Sequence, residues 1–236
     1  MGFGAIKALT FDCYGTLIDW EQGILDRMRP WAERNGLQVA DERLLELYGE
    51  IEAACEAATP TAPYTEILRT VHGRIATCLG VAPDAGEADR FAASVGDWMP
   101  FPDMADALRA LKLRFKLVIV SNVDRASFAR TNAKLGVTFD AIVTAEEVGA
   151  YKPDHRMFQR AFEVLETTGI RRHEILHVAQ SLYHDHVPAK ALGMRTAWVD
   201  RRKGLAGGGA TRPPDVTVLP DYTVSSLAEL VRLLET

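Results

Sequence analysis

Four short polar stretches of this chain combine side chains that can carry out nucleophilic chemistry. A carboxylate can attack carbon, a lysine ammonium can hold that carboxylate ionised, and hydroxyl and amide groups can bind an anion. Each stretch follows a short apolar run, as a sheet-edge residue follows a buried strand. The residues are Asp12, the pair Ser121 and Asn122, Lys152, and the segment 180–185 that ends in Asp185.

The elements that must position these residues alternate between strands and helices. Such alternation predicts an α/β fold with a parallel sheet covered on both faces. Because ligands sit outside the carboxyl ends of such strands, we expect all four stretches at one edge of the sheet. Strands are predicted at 5–11, 116–121, 139–143, 175–179 and 196–199, and helices between them at 104–113, 153–167, 186–192 and 225–235.

A helical block interrupts this alternation after the first strand. It is rich in Ala, Glu and Leu, and nothing in it has the pattern of a strand. Because it leaves the sheet at the edge that carries the polar stretches, it can act as a lid over them. Its helices are predicted at 21–35, 41–57, 64–79 and 86–96.

Composition excludes several other classes of protein. The chain has 236 residues, 47% of them hydrophobic and 25% charged, which is the usual globular balance. Its net charge of −5 argues against nucleic-acid binding, and no apolar run approaches the roughly 18 residues of a membrane helix. Three scattered cysteines form neither a disulfide framework nor a zinc site. We therefore expect a cytoplasmic protein with reduced thiols and no membrane partner.

Taken together, the four stretches resemble the haloacid dehalogenase superfamily in order and spacing, over essentially the whole chain. The resemblance implies a Rossmann-like core of residues 1–18 and 99–236, with a helical cap of residues 19–98. It makes Asp12 the nucleophile that forms a covalent ester and Lys152 its cationic partner. It gives Ser121 and Asn122 the task of holding an anionic group of the substrate.

Two departures from the superfamily argue against Mg²⁺-dependent phosphatase activity. Phosphatases of this superfamily carry a second Asp two residues after the nucleophile, where this chain has Tyr14. They also carry an Asp in a Gly-Asp-Ser sequence after the fourth strand, where this chain has Gln180 before Ser181. Mg²⁺ favours carboxylate oxygens, so the loss of two acids disfavours it. A phosphatase remains the second hypothesis.

The sequence from Phe11 to Trp20 instead resembles the metal-independent (S)-2-haloacid dehalogenases. The resemblance implies that Asp12 displaces a halide from the carbon next to a carboxylate. A water activated by Asp185, with Lys152 nearby, would then hydrolyse the ester. This chemistry needs no metal and no cofactor. A halide also needs no general acid, so that Tyr14 is acceptable at the acid's position and can orient the substrate or pack.

The lid does not fit a halide receptor well. Haloacid dehalogenases usually carry an Arg early in the lid, where this chain has Glu46, Glu50 and Glu52. Acidic side chains receive ammonium groups better than halides. The segment 181–189 resembles the L-azetidine-2-carboxylate hydrolases of the same branch, which open a strained ring with nitrogen as the leaving group. However, Gln180 replaces an acidic residue of those enzymes.

The substrate is therefore expected to be a small carboxylate, either a 2-haloacid or a cyclic imino acid. A non-catalytic binding protein is the third hypothesis. Relatives form homodimers, although no patch in this sequence argues for one. The residues expected to contact substrate are Tyr14, Trp20, Trp98, Ser121, Asn122, Gln180, Ser181 and Tyr183.

Other features of the sequence give weaker predictions. Tyr48 and Tyr64 lie in the lid and either shape the pocket or pack. The two histidines beside Asp185, His184 and His186, are expected to support it rather than to bind metal. The segments 201–203 and 207–209 are expected to be a solvated turn and a flexible surface loop.

Overall fold

The computed structural model describes residues 3–235 and contains one six-stranded parallel sheet, in the order β3-β2-β1-β4-β5-β6. The two outermost segments of the expected core, residues 1–2 and residue 236, lie outside the described residues. The α/β fold with a helical cap after the first strand is confirmed. The strands are β1 (Ala8–Phe11), β2 (Lys116–Ser121), β3 (Ala141–Thr144), β4 (Ile175–Ala179), β5 (Arg195–Val199) and β6 (Tyr222–Val224).

The central strands form because their side chains are almost all apolar and have no access to water. All of β1 and β4 is buried, as expected of strands covered by helices on both faces. β1 pairs with β2 on one side and with β4 on the other, with Phe11 opposite Ile119 and Val178. The chain positions that follow β1, β2 and β4 therefore meet at the same edge of the sheet.

The helices of the core cover this sheet and carry recognisable caps. Asp124, Asp154 and Ser226 each accept a backbone N–H in the first turn of the helix that follows them. These helices are α5 (Met104–Lys112), α6 (Arg125–Leu135), α7 (Ala145–Val148), α8 (His155–Glu166), α9 (Val187–Ala191) and α10 (Leu227–Leu234).

The cap is formed by four helices inserted between β1 and β2, as expected. They are α1 (Trp20–Arg34), α2 (Asp41–Ala58), α3 (Tyr64–Cys78) and α4 (Ala85–Ala93). Their buried side chains join the same apolar core as those of the sheet. Because cap and core share one continuous set of buried residues, cap side chains are held at fixed positions over the sheet edge.

Strand β6 was missing from the predicted elements. It has only three residues, of which Val224 alone is buried, so it lacks an apolar run. This strand forms because it pairs with β5, and its sequence alone has no strand pattern. No helix among residues 3–235 is both long enough and apolar enough to span a membrane.

Candidate active site

Asp12 directly follows β1, at the middle of the sheet edge. Its backbone N–H donates to the carbonyl of Val178, which continues the pairing of β1 with β4. The two carboxylate oxygens have different donors. Oδ1 accepts from Nζ of Lys152 at 2.8 Å, and Oδ2 accepts from the hydroxyl of Thr16 at 2.6 Å. The carboxylate is therefore fixed in orientation by two side chains.

Lys152 is fully enclosed, and its ammonium group makes three hydrogen bonds. Nζ donates to Asp12 Oδ1, to Asp185 Oδ1 at 2.7 Å and to the carbonyl of Val120 at 3.0 Å. An ammonium has three donors, so all of them are used. Burial alone would lower the pKa of Lys152. The two carboxylates raise it by more than burial lowers it, so the pKa is above its usual value. Lys152 therefore stays charged between Asp12 and Asp185.

The backbone of Lys152 is fixed by Asn122. The Asn122 side chain accepts from the N–H of Lys152 at 2.7 Å and donates to its carbonyl at 3.1 Å. The expectation was that this amide binds a substrate anion. Its donor is instead shared between the Lys152 carbonyl and the carboxyl group of Glu56, so Asn122 chiefly holds the site together.

The two carboxyl groups beside Lys152 have opposite pKa shifts. For Asp185, Lys152 and His177 outweigh burial and lower the pKa. For Asp12, burial raises the pKa, Lys152 lowers it and the nearby Asp185 raises it, and the net direction is upward. Lys152 thus favours the ionised form of Asp12, as expected, but burial outweighs it. Burial leaves this carboxylate poorly solvated, and a poorly solvated carboxylate is a stronger nucleophile than one in water.

A small cavity of about 30 Å³ lies between these carboxyl groups and the cap. Most of the residues predicted from the sequence meet around it. The predicted residues that line it are Asp12, Tyr14, Trp20, Ser121, Asn122, Lys152, Ser181 and Asp185.

Ser121 offers the cavity a free hydroxyl group. It is the last residue of β2 and is fully buried, and its Oγ has no hydrogen-bond partner among residues 3–235. Buried hydroxyl groups are usually paired, so an unpaired one beside a cavity is a natural donor to a ligand. Tyr14 contributes its ring instead, because its hydroxyl is hydrogen-bonded to Thr131 at 2.8 Å.

Three residues expected to contact substrate do not line this cavity. Trp98 packs edge-on against Tyr14 with ring centroids 5.9 Å apart, so it lies behind the cavity wall. Gln180 accepts from Thr211 at 3.0 Å and lines a separate cleft of about 520 Å³. Tyr183 packs against Arg212 and lines an outer pocket of about 230 Å³.

Two glutamates of α2, Glu52 and Glu56, form the cap side of the cavity. Glu52 was expected to receive a cation together with Glu46 and Glu50. Only Glu52 reaches the site, whereas Glu46 pairs with Arg43 near the surface and Glu50 is exposed. Glu56 was not identified from the sequence. A separation of four residues on a helix places Glu52 and Glu56 on one face, which is the signal that could have revealed it.

The hydrogen bonds to these two glutamates come from neutral groups. Tyr48 and Tyr64 both donate to Glu52 Oε1, and Asn122 Nδ2 lies 3.2 Å from both oxygens of Glu56. Burial raises the pKa of Glu52 to about 7 and that of Glu56 well above its usual value. Tyr64 itself lines the cavity, whereas Tyr48 lies behind Glu52.

The histidine that supports Asp185 is His177, not the neighbours expected from the sequence. His186 hydrogen-bonds the carbonyl of Ala179, and His184 lies 3.5 Å from Glu56. His177 Nε2 lies 3.0 Å from Asp185 Oδ1. The sequence signal for this role was that His177 is the one polar residue in the otherwise apolar, buried strand β4.

Two surface predictions hold only in part, since residues 201–203 do form a turn and Gly207 and Gly208 are exposed, but the flanking side chains are not solvated. Arg202 is held between Glu21 and Glu42 of the cap rather than in a solvated turn. The glycine segment 207–209 is held against the cap as well, because the N–H of Gly209 donates to Glu42 at 2.8 Å. Gly209 has a φ of +65°, and a Cβ there would collide with Glu21, so this close approach of core loop and cap requires glycine.

The neighbouring Arg201 is also half-buried and ion-paired rather than solvated. It forms an ion pair with Asp103 and donates to the carbonyl of Thr16. It thereby supports the turn that carries the Thr16 hydroxyl to Asp12. Within residues 3–235, no group of three or more His, Cys, Asp or Glu side chains is arranged to hold a metal ion.

Comparison with known proteins places this geometry in context. A family model described as a haloacid dehalogenase-like hydrolase matches residues 6–193. The (S)-2-haloacid dehalogenase of Pseudomonas sp. (strain YL) is 29% identical over 98% of this chain and 95% of its own length. The haloacetate dehalogenase H-2 of Moraxella sp. (strain B) is 28% identical, over 90% of this chain and 93% of its own.

A solved structure has the same fold. The L-2-haloacid dehalogenase from Xanthobacter autotrophicus with chloropropionic acid covalently bound superposes with a TM-score of 0.79. The superposition covers 98% of each chain at 23% sequence identity. At this identity the likeness supports the shared fold, with its parallel sheet and helical cap.

Proposed function

We propose, from the premise that this chain belongs to the haloacid dehalogenase-like hydrolases, that it displaces a leaving group from the carbon next to a carboxylate. The observation that carries the proposal is the Lys152 ammonium, which lies within hydrogen-bond distance of both Asp12 and Asp185. One carboxylate can then attack carbon while the other serves as a base. Relatives with (S)-2-haloacid dehalogenase activity support the same reaction type.

In the first step, a carboxylate oxygen of Asp12 forms a bond to the α-carbon. The bond from that carbon to the leaving group breaks, and the leaving group departs with the electron pair. The carbon is inverted and the product of this step is an ester of Asp12. The Ser121 hydroxyl, which has no partner among the described residues, is suited to donate to the substrate carboxylate.

In the second step, water attacks the carbonyl carbon of the Asp12 ester. Asp185 takes a proton from this water, and the acyl–oxygen bond of the ester breaks. The departing alkoxide takes up that proton, and the second proton of the water leaves the new Asp12 carboxyl group for solvent. The step therefore yields a 2-hydroxy acid and restores the Asp12 carboxylate. The lowered pKa of Asp185 keeps it ionised and makes it a weak base, so it holds the proton only until the alkoxide takes it.

A 2-haloacid is the first candidate substrate. A cavity of about 30 Å³ has room for only one or two waters, so even a molecule as small as a 2-haloacid requires the cap side of the cavity to give way as it enters. Halide ions leave without protonation, so no acid is needed at the position of Tyr14. This assignment follows the relatives' activity rather than any halide receptor seen in the cap.

A ring-opening substrate such as L-azetidine-2-carboxylate is the second candidate, and Glu52 and Glu56 favour it. Both carboxyl groups line the cavity and face no Arg or Lys of the cap there. In their ionised form these groups repel a departing halide and attract a protonated ring nitrogen, and the positive charge of that nitrogen in turn favours the ionised form. The same two steps apply, except that the ring nitrogen leaves as an amine and stays attached to the product.

The test is chloride release from (S)-2-chloropropionate by the purified protein in EDTA, with Asp12→Asn as the blank. Release by the unaltered protein alone supports displacement of halide. If no chloride appears, the same buffer is used to assay ring opening of L-azetidine-2-carboxylate. Failure of both substrates contradicts the proposal. Phosphate release that requires added Mg²⁺ would then favour a phosphatase, and persistence of ligand binding in Asp12→Asn would favour a non-catalytic binder.

A further inference from the structure

A buried row of polar side chains leads away from the cavity on the side of the sheet. His177 lies on β4 and Thr10 on β1, directly opposite one another in the strand pairing. Thr10 Oγ1 is 2.9 Å from His177 Nδ1, and His177 Nε2 is 3.0 Å from Asp185 Oδ1. Both His177 and Thr10 are fully buried, and neither lines the cavity.

The hydrogen bonds of His177 define the donor that it presents to Asp185. An ionised carboxylate can only accept, so Nε2 of His177 must donate to Asp185. Nδ1 shares its hydrogen bond with the Thr10 hydroxyl on the other side of the ring. The ring is further held by Phe158, whose ring packs edge-on at a centroid distance of 5.1 Å. His177 therefore presents its donor to Asp185 from a fixed position.

The two oxygens of Asp185 are used unequally. Oδ1 accepts from both Lys152 and His177, whereas Oδ2 has no hydrogen-bond partner among residues 3–235. We propose that His177 is a positioning residue that keeps Oδ1 of Asp185 occupied and leaves Oδ2 free to take the proton of the hydrolytic water. This inference rests on the function proposed above and concerns only its second step.

The consequence is that the two steps depend on His177 to different degrees. The attack of Asp12 on carbon uses Lys152 and Thr16, which hold Asp12 without His177. Hydrolysis of the ester uses Asp185, which loses one of its two donors when His177 is replaced. A loss of orientation at Asp185 therefore slows hydrolysis and leaves ester formation nearly intact.

The experiment compares His177→Leu, His177→Gln and Thr10→Val by rapid quenching and mass spectrometry of the Asp12 peptide. His177→Leu removes the donor, His177→Gln places an amide N–H near the position of Nε2, and Thr10→Val removes only the far partner. We expect His177→Leu to slow ester hydrolysis about 10- to 100-fold, within the range of general-base contributions, and the ester to accumulate on Asp12. Ester formation should change by less than about threefold.

The conservative variants separate positioning from folding. His177→Gln should restore hydrolysis to within about fivefold of the unaltered protein, and Thr10→Val should slow it by about two- to fivefold. The amplitude of the first burst counts the correctly folded enzyme in every sample. Equal slowing of both steps in His177→Leu, or hydrolysis unchanged in it, overturns the inference.

Failure of this inference is distinguishable from failure of the proposed function. The unaltered protein must first release the leaving group and pass through the Asp12 ester. If it does not, the proposed reaction fails, and the inference fails with it. If it does, the ratio of the two rates in the His177 variants decides the inference alone.

Discussion

The carboxyl groups on the two walls of the cavity have opposite kinds of hydrogen-bond partner. On the core wall, formed by Asp12, Lys152 and Asp185, a fully buried ammonium lies 2.8 Å and 2.7 Å from two carboxylates. On the cap wall, formed by Glu52 and Glu56, the carboxyl groups are held by phenol and amide groups. The core wall thus fixes charges for a reaction, whereas the cap wall has acidic groups without a cation of its own.

This difference suggests separate tasks for the two walls: the chemical reaction on the core wall, and the preference for a substrate on the cap wall. The core wall consists of Asp12 at the end of β1 and of Lys152 and Asp185 in the segments that follow β3 and β4, where buried hydrogen bonds fix the side chains. The cap wall lies on one face of α2, where we expect a change of side chain to alter the substrate preference without moving the nucleophile. On the proposed mechanism, the core would set the type of reaction and the cap would set the choice of leaving group.

The largest expected effect is on the core wall, in Asp12→Asn. The amide is close to the carboxylate in size but is a poor nucleophile, so turnover should fall by at least about 10³-fold. Asp154→Asn, at the half-buried N-cap of α8, is the matched control and should keep nearly full activity, because asparagine also caps helices. Initial rates on whichever substrate is turned over give the comparison. Substantial turnover by Asp12→Asn would contradict the assignment of the chemical reaction to the core wall.

Replacement of Lys152 by Met tests the charge balance of the core wall. It leaves two buried carboxylates facing each other, and removal of one partner of a buried ion pair typically costs about 3–5 kcal/mol. Lys190→Met is the control, since Lys190 pairs with Asp221 near the surface and should cost about 1 kcal/mol or less. Urea unfolding monitored by circular dichroism measures both. Equal losses in the two variants would contradict the account.

The cap wall is tested by Glu52→Gln and Glu56→Gln, assayed with a haloacid and with a cyclic imino acid. Removing an acidic group should favour the departing halide and disfavour the protonated nitrogen. We expect the ratio of the two kcat/KM values to shift by about tenfold toward the haloacid in each variant, which is about 1.4 kcal/mol. Glu50→Gln, exposed on the same helix, should leave the ratio unchanged. An unchanged ratio in both cavity variants would show that the cap wall does not determine the preference between the two substrates.

The remaining prediction concerns the pH dependence of stability. Burial raises the pKa of Glu52 to about 7 from an ordinary value of 4.5, so the folded protein binds more protons than the unfolded chain between those values. Stability should therefore fall as the pH rises from about 4.5 to about 7. Glu52→Gln should flatten this fall in urea unfolding series at several pH values. A slope identical to that of the unaltered protein would contradict the proposed shift.

The core wall could be predicted from the sequence because each of its residues follows a recognisable element. Asp12 ends an apolar strand, and Lys152 and Asp185 fall in the loops that parallel strands bring to one edge. Strand β6 could not be predicted, because three residues with one buried side chain produce no pattern.

The cap wall was only partly predictable. An acidic helix was evident, but which of its glutamates face the sheet depends on how α2 packs, and Glu56 was missed. Arg202 and His177 show the same limit. The partners of Arg202 are distant along the chain, so its ion pairs cannot be derived from local pattern. Asp185 is only eight residues from His177, but their contact depends on how the turn after β4 folds back over the strand.

The central claim, an ester formed on Asp12, is tested most directly by a single turnover with excess enzyme in H₂¹⁸O. Water that attacks the carbonyl carbon of the ester leaves its oxygen on the enzyme. The account predicts ¹⁸O in the peptide that contains Asp12 and ordinary oxygen in the newly formed hydroxyl group of the product. Labelled hydroxyl in the product with an unlabelled Asp12 peptide would mean that water attacks the substrate directly, and would contradict the account.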